Sequence, residues 1–168
     1  LKITIKSTPE DHRIAWLTAL AISIHILESS LPSPVPGLKP GLANIIIITV
    51  LCQFGWRTAA WVSMLRVLVG SLILGTFLSP TFMLSLSGAT ASILAIGLAS
   101  RIPGRGFSAI GYSLLASISH ISAQFITAYL LFIPHPGLWR LFPVLLTFAI
   151  VLGIFNGIIS LLLLKRVT

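Results

Sequence analysis

Glu28 is the one acid, and Arg66 the one arginine, set deep inside apolar runs of this sequence. With helical spacing, Arg66 stands ~14 Å into its run. An arginine at that depth costs several kcal/mol unless it is paired or hydrated. Glu28 lies ~22 Å along its own helix from Arg13, within reach of Arg66 if the helices tilt. Two readings stand for this pair. It is a structural ion pair that fixes a bundle, or it is a ligand-binding pair that is broken and remade as a solute passes. A second set of polar residues repeats at helical spacing. Ser113, Ser117, His120 and Gln124 fall on one face of a helix, and Ser85, Gly88 and Ser92 on one face of another. Asn156 and Ser160 follow near the end of the chain. For any single serine, hydrogen-bonding glue between helices accounts for the placement. For Asn44, His120, Gln124 and Asn156 taken together, a polar cavity stands at least level with interhelical glue.

The stretch from Glu28 to Asn44 carries four prolines and Lys39 between apolar helices. Irregular backbone beside charge is tolerated at a bilayer edge where it lines a cavity or is buried in protein. The segment reads as the rim and part of the wall of a ligand site. The candidate ligand-binding residues are Glu28, Lys39, Asn44, Arg66, Ser85, His120 and Asn156. Glu28 and Arg66 would orient polar groups or close a gate, and Lys39 would draw an anionic group to the mouth.

Positioning such residues requires helices that cross a membrane. The chain has 168 residues, of which 56% are hydrophobic and 8% charged, with a mean hydropathy of +1.05. A soluble domain carries about a quarter charged residues. The expected class is all-α, a polytopic membrane protein folded as a single six-helix transmembrane bundle over residues 1–168. The spans are placed at 13–31, 41–56, 58–79, 82–100, 108–133 and 141–164. The second is short and flanked by Gly41 and Gly55, so it starts below the surface and carries Asn44 inside. The first residues, Leu-Lys-Ile-Thr-Ile-Lys, do not resemble a signal peptide. They lack an initiator methionine, which suits a numbering that starts inside a longer product.

Lys2, Lys6, Arg13, Arg57, Arg101, Arg105, Lys165 and Arg166 fall on one side, and Lys39 and Arg140 on the other. That asymmetry puts both termini in the cytoplasm. Trp16, Trp56 and Trp61 are expected as anchors at the inner interface and Trp139 at the outer one. Ala15, Ala19 and Ser23 form a ridge of small residues on the first span, and Gly153 and Gly157 a pair on the sixth. Such ridges serve internal packing or the docking of a partner subunit.

The net charge of +8 reflects a shortage of acids. It carries no basic face of the kind nucleic acid requires. Magnesium-assisted chemistry on diphosphates needs several convergent carboxylates. Three acidic residues in the chain cannot supply them. A phosphate loop ending in Lys-Ser/Thr is absent, a lone His120 makes no metal site, and the single Cys52 excludes an internal disulfide. No cofactor, metal or catalytic residue is expected.

The string Pro36-Gly37-Leu38-Lys39-Pro40-Gly41-Leu42-Ala43-Asn44 is followed by Leu65-Arg66-Val67-Leu68 and Ser85-Leu86-Ser87-Gly88. Together they resemble the Gx transporter family, whose members are often labelled heptaprenyl diphosphate synthase component I. Pro40 stands where that pattern has an apolar residue. The family is similar to the substrate-binding subunits of energy-coupling-factor importers. The resemblance implies a bacterial cytoplasmic-membrane protein with an outward-facing pocket for a vitamin- or flavin-like molecule. It implies a transmembrane coupling subunit and two ATPases as partners, with Ala15 and Ala19 matching the docking residues of the first helix. The alternative is a non-catalytic membrane accessory component of a polyprenyl diphosphate synthase.

Overall fold

The computed structural model describes residues 8–30, 41–102 and 107–167. They form six α-helices: α1 Pro9–Ser30, α2 Ala43–Phe54, α3 Trp56–Ile73, α4 Pro80–Ala99, α5 Ala109–Leu131 and α6 Phe142–Val167. A 3₁₀ turn, Pro136–Arg140, leads into α6, and no strand occurs among the described residues. The all-α, six-helix architecture expected from the sequence is therefore the one observed. Three segments are long and apolar enough to cross a membrane: Pro80–Ala99, Ala109–Leu131 and Pro136–Arg166. Large apolar side chains such as Leu94, Leu98, Leu130, Val151, Phe155 and Leu162 point outward. An exterior of that kind suits lipid, while the polar side chains turn inward.

Local chemistry sets most helix ends within a few residues of the expected spans. α1 starts four residues earlier than expected because Thr8 and Asp11 cap it reciprocally. Thr8 N–H and Oγ1 each donate to Asp11 Oδ2 at 2.8 Å, and Asp11 N–H donates to Thr8 Oγ1 at 3.2 Å. These bonds hold the Asp11 carboxyl below its ordinary pKa. α3 stops at Ile73, six residues short of expectation. Gly75 adopts φ 67°, and Thr76 N–H bonds Ser71 C=O at 2.9 Å, which closes the helix in a Schellman turn. Ser79 then caps α4 by accepting from Phe82 N–H at 3.3 Å, with Pro80 as the first helical residue.

The short α2 organises the bundle. Its 12 residues span ~18 Å, against ~30 Å for a bilayer core. It packs against α1, α3, α5 and α6, while α3–α4, α4–α5 and α5–α6 contacts close the outside. Ile47, Ile48, Val50 and Leu51 of α2 meet Ala21, Ala59, Val62, Ile93, Ile96 and Ala116 in the main apolar core. A smaller core of Val67, Phe82 and Ala89 lies near the α3–α4 turn. Beyond the start of α2, none of the described helices fills the centre.

One side-chain expectation is corrected, and one open choice is resolved. Trp56 is half-buried rather than an interface anchor: its indole N–H donates to Ile93 C=O at 2.8 Å, and its ring lies where a Cβ on Gly97 would stand 2.3 Å away. The Gly153 and Gly157 pair faces α5, where added Cβ atoms would meet Leu114 and Ile110 backbone. The pair therefore serves internal packing. Trp16 and Trp61 are exposed, and Trp139 stands over Phe125, Tyr129 and Phe142.

Candidate functional site

The space above α2 is a cavity of about 390 Å³ that reaches the α3–α4 turn. Glu28 and His25 enter it from α1, Asn44 and the preceding Gly41 from the start of α2, and Arg66 and Ser71 from α3. Ser85 comes from α4, Ser117, His120 and Gln124 from α5, and Asn156 from α6. Of the seven candidates from the sequence, Glu28, Asn44, Arg66, Ser85, His120 and Asn156 all line this one cavity. Lys39 and the proline-rich segment lie outside the described residues. The apolar part of the wall includes Val67, Leu74, Phe82, Leu84, Ile121 and Leu152.

Glu28, Asn156 and His120 are each held by a traceable interaction. Leu42, at the N-cap of α2, gives no side-chain cap. Glu28 supplies it from α1: Oε1 accepts from Gly41 N–H and from Leu42 N–H, the latter at 3.2 Å. Gly41 takes φ 70°, which brings its N–H to the carboxylate and its carbonyl to α6. There Asn156 Nδ2 donates to Gly41 C=O at 3.2 Å, and Ser160 Oγ lies 3.2 Å from Ile45 C=O. The start of α2 is thus tied to α1 on one side and α6 on the other. His120 packs against α4 at Gly88, where an added Cβ would stand 2.7 Å from Nε2. Its Nδ1 lies 3.3 Å from Ser92 Oγ, which also reaches Gly88 C=O and Ala116 C=O at 2.9 Å. The Ser85–Gly88–Ser92 stripe therefore does two jobs: Gly88 and Ser92 seat His120, and Ser85 faces the cavity. Ser113, one turn below Ser117, is buried away from it.

The expected Glu28–Arg66 ion pair does not form as a direct contact. Glu28 is drawn to the α2 N-terminus instead, because two backbone N–H groups and the helix dipole converge there. It still attracts Arg66 through space. Arg66 is 7% exposed. Its guanidinium has no hydrogen-bond or ion-pair partner at bonding distance among the described residues. His25 was not anticipated from the sequence. Its position three residues before Glu28, on the same face of α1, was the available signal. Ser71, near the end of α3, and Thr76, Thr81 and Phe82, at and after the α3–α4 turn, also join the wall.

Glu28 is the sole carboxylate on the described cavity wall, and no group of three His, Cys, Asp or Glu side chains is placed to hold a metal among the described residues. The arrangement suits recognition: a concave, mostly apolar chamber with a few convergent polar groups. The profile of the family described as heptaprenyl diphosphate synthase component I matches residues 17–163. No curated protein and no solved structure matches the chain.

Proposed function

The chain belongs to the heptaprenyl diphosphate synthase component I family, and we propose that within it this protein is a small-molecule binding subunit of an energy-coupling-factor type membrane transporter. The observation that carries the proposal is the convergence of polar side chains from all six helices on one internal chamber. Buried polar groups are costly without partners. A bundle that only filled lipid would gain by replacing them with apolar side chains. The chamber's size falls in the range of small-molecule sites, about 300–1,000 Å³. A vitamin- or flavin-like solute is the proposed class, taken up from the outer side of a bacterial cytoplasmic membrane.

Native mass spectrometry of the full chain in mild detergent tests this. Wild type is expected to retain a bound small molecule, and Ser85→Trp, which fills the chamber, to lose it. A wild-type spectrum showing only bare protein and lipid, after incubation with a vitamin and flavin mixture, would count against the reading.

Transport needs a coupling subunit and ATPases, and α1 offers a place for the first. Ala15, Ala19 and Ser23 are exposed along it, and small residues let another helix approach closely. Ala15→Leu and Ala19→Leu are expected to reduce co-purification with a coupling subunit by at least about tenfold, roughly a 1.4 kcal/mol loss, while solute retention persists. Wild-type recovery of the complex would reject the ridge as a docking site.

The family's description favours a second reading, a non-catalytic membrane component that recruits a prenyl synthase subunit. Three acidic residues, two of them Glu10 and Asp11 at the start of α1, argue for a non-catalytic role. Co-purification with a soluble synthase subunit, without a coupling subunit, would favour it.

A further inference from the structure

Among the described residues, the charges around the chamber leave a positive excess of about half a unit. Glu28 carries one negative charge and is bonded to the start of α2, where the helix dipole is equivalent to about half a positive charge. Arg66 adds a full positive charge, more than nine-tenths buried and without a direct partner among the described residues. A buried guanidinium with unused donors is under strong drive to acquire an acceptor, and its planar fork matches a carboxylate or phosphate oxygen pair. The α3–α4 wall of the chamber is mixed, with Val67, Leu74, Phe82 and Leu84 beside Ser71, Thr76, Thr81 and Ser85.

We infer that the chamber binds a singly charged organic anion, its carboxylate seated on the Arg66 guanidinium and its apolar body lying toward Phe82 and Leu84. This deepens the binding reading above and rests on it. One added negative charge takes the site from about +0.5 to about −0.5, within about half a unit of neutrality on either side, whereas a dianion takes it to about −1.5. A dianion would meet uncompensated repulsion from Glu28, and a diphosphate more so. Glu28 therefore acts as a charge filter as well as a cap. The polar side chains of Asn44, Gln124 and Asn156 on the same wall are left to read further groups on the anion.

Thermal unfolding of the full chain in detergent, at fixed ionic strength, tests this with matched probes. The probes are hexanoate against hexanamide, 3-phenylpropanoate against its amide, and phenyl phosphate. The acids are expected to raise the unfolding midpoint with apparent affinities at least about tenfold above the amides, since charge-assisted hydrogen bonds are worth about 1.5–3 kcal/mol. Phenyl phosphate at pH 8, a dianion, should bind more weakly than 3-phenylpropanoate. Arg66→Gln should erase the preference for acids, and Arg66→Lys should keep part of it, which covers the case in which the glutamine variant fails to fold. Equal shifts from acids and amides that vanish in Ser85→Trp would overturn the anion seat and leave the binding reading in place. Acid shifts that persist in Arg66→Gln would place the anion elsewhere. If no probe moves the wild-type midpoint, the anion seat is rejected. The binding reading then rests on the mass-spectrometric test alone.

Discussion

Glu28→Leu is expected to lower stability by about 3–5 kcal/mol, the range for removing one member of a buried charged network. The carboxylate holds Gly41 and Leu42 N–H across the gap between α1 and α2. Leucine leaves both donors at a partly buried helix start without this acceptor and strands Arg66 without its through-space counter-charge. Glu28→Gln keeps an acceptor oxygen and should cost less. The informative comparison is the double change Glu28→Leu with Arg66→Leu. If the two residues were chiefly a pair, the double variant would be at least as stable as Arg66→Leu alone. The geometry gives the opposite order. Arg66→Leu removes a desolvated cation with no hydrogen bond to break, whereas the double variant still lacks its cap. Unfolding midpoints of the four variants, in a double-mutant cycle, decide between these orders.

Gly157→Ala should cost about 1–3 kcal/mol, as overpacking of a well-filled contact does, and Gly157→Leu more. A Cβ at this position would stand 2.6 Å from the Ile110 Cα. No side-chain rotation relieves a clash with backbone, so α5 and α6 must part. Gly153→Ala is the milder neighbour. Its Cβ would meet Ser117 Oγ at 2.9 Å, Ser117 Cβ at 3.0 Å and Leu114 Cα at 3.2 Å; the hydroxyl can turn away, and the two carbon contacts are longer than the 2.6 Å at Gly157. Parting α5 from α6 also separates Ser117 and Gln124 from Asn156, so solute retention should fall with stability. Thermal midpoints for Gly153→Ala and Gly157→Ala check the order. Equal and negligible effects would show that these helices touch elsewhere.

Much of this architecture is legible in the residues themselves. A chain that is mostly apolar, with scarce charge and breaks at Gly41, Gly55 and Ser79-Pro80, determines a helical bundle and roughly where each helix runs. Apolar periodicity and capping are local properties, and a local property can be read without neighbours. The same holds for the set of inward-facing polar residues, because side chains such as Asn44, Arg66, His120 and Asn156 are too costly to leave facing lipid. Early closure of α3 at Gly75 and the Thr8–Asp11 cap are local signals too, although the expected spans had not used them.

Tertiary structure alone decided which of those residues meet, and through what. Glu28 and Arg66 invite pairing by charge, but the carboxylate goes to the α2 N-terminus, because a short central helix leaves two backbone donors beside it. Trp56 suits a membrane interface by type and instead bridges α3 to α4, since Gly97 opens room for its ring. His25 enters the chamber only through the rotation of α1. Each outcome depends on the distance between segments far apart in the chain, and such distances follow from how whole helices pack rather than from the preference of any one residue.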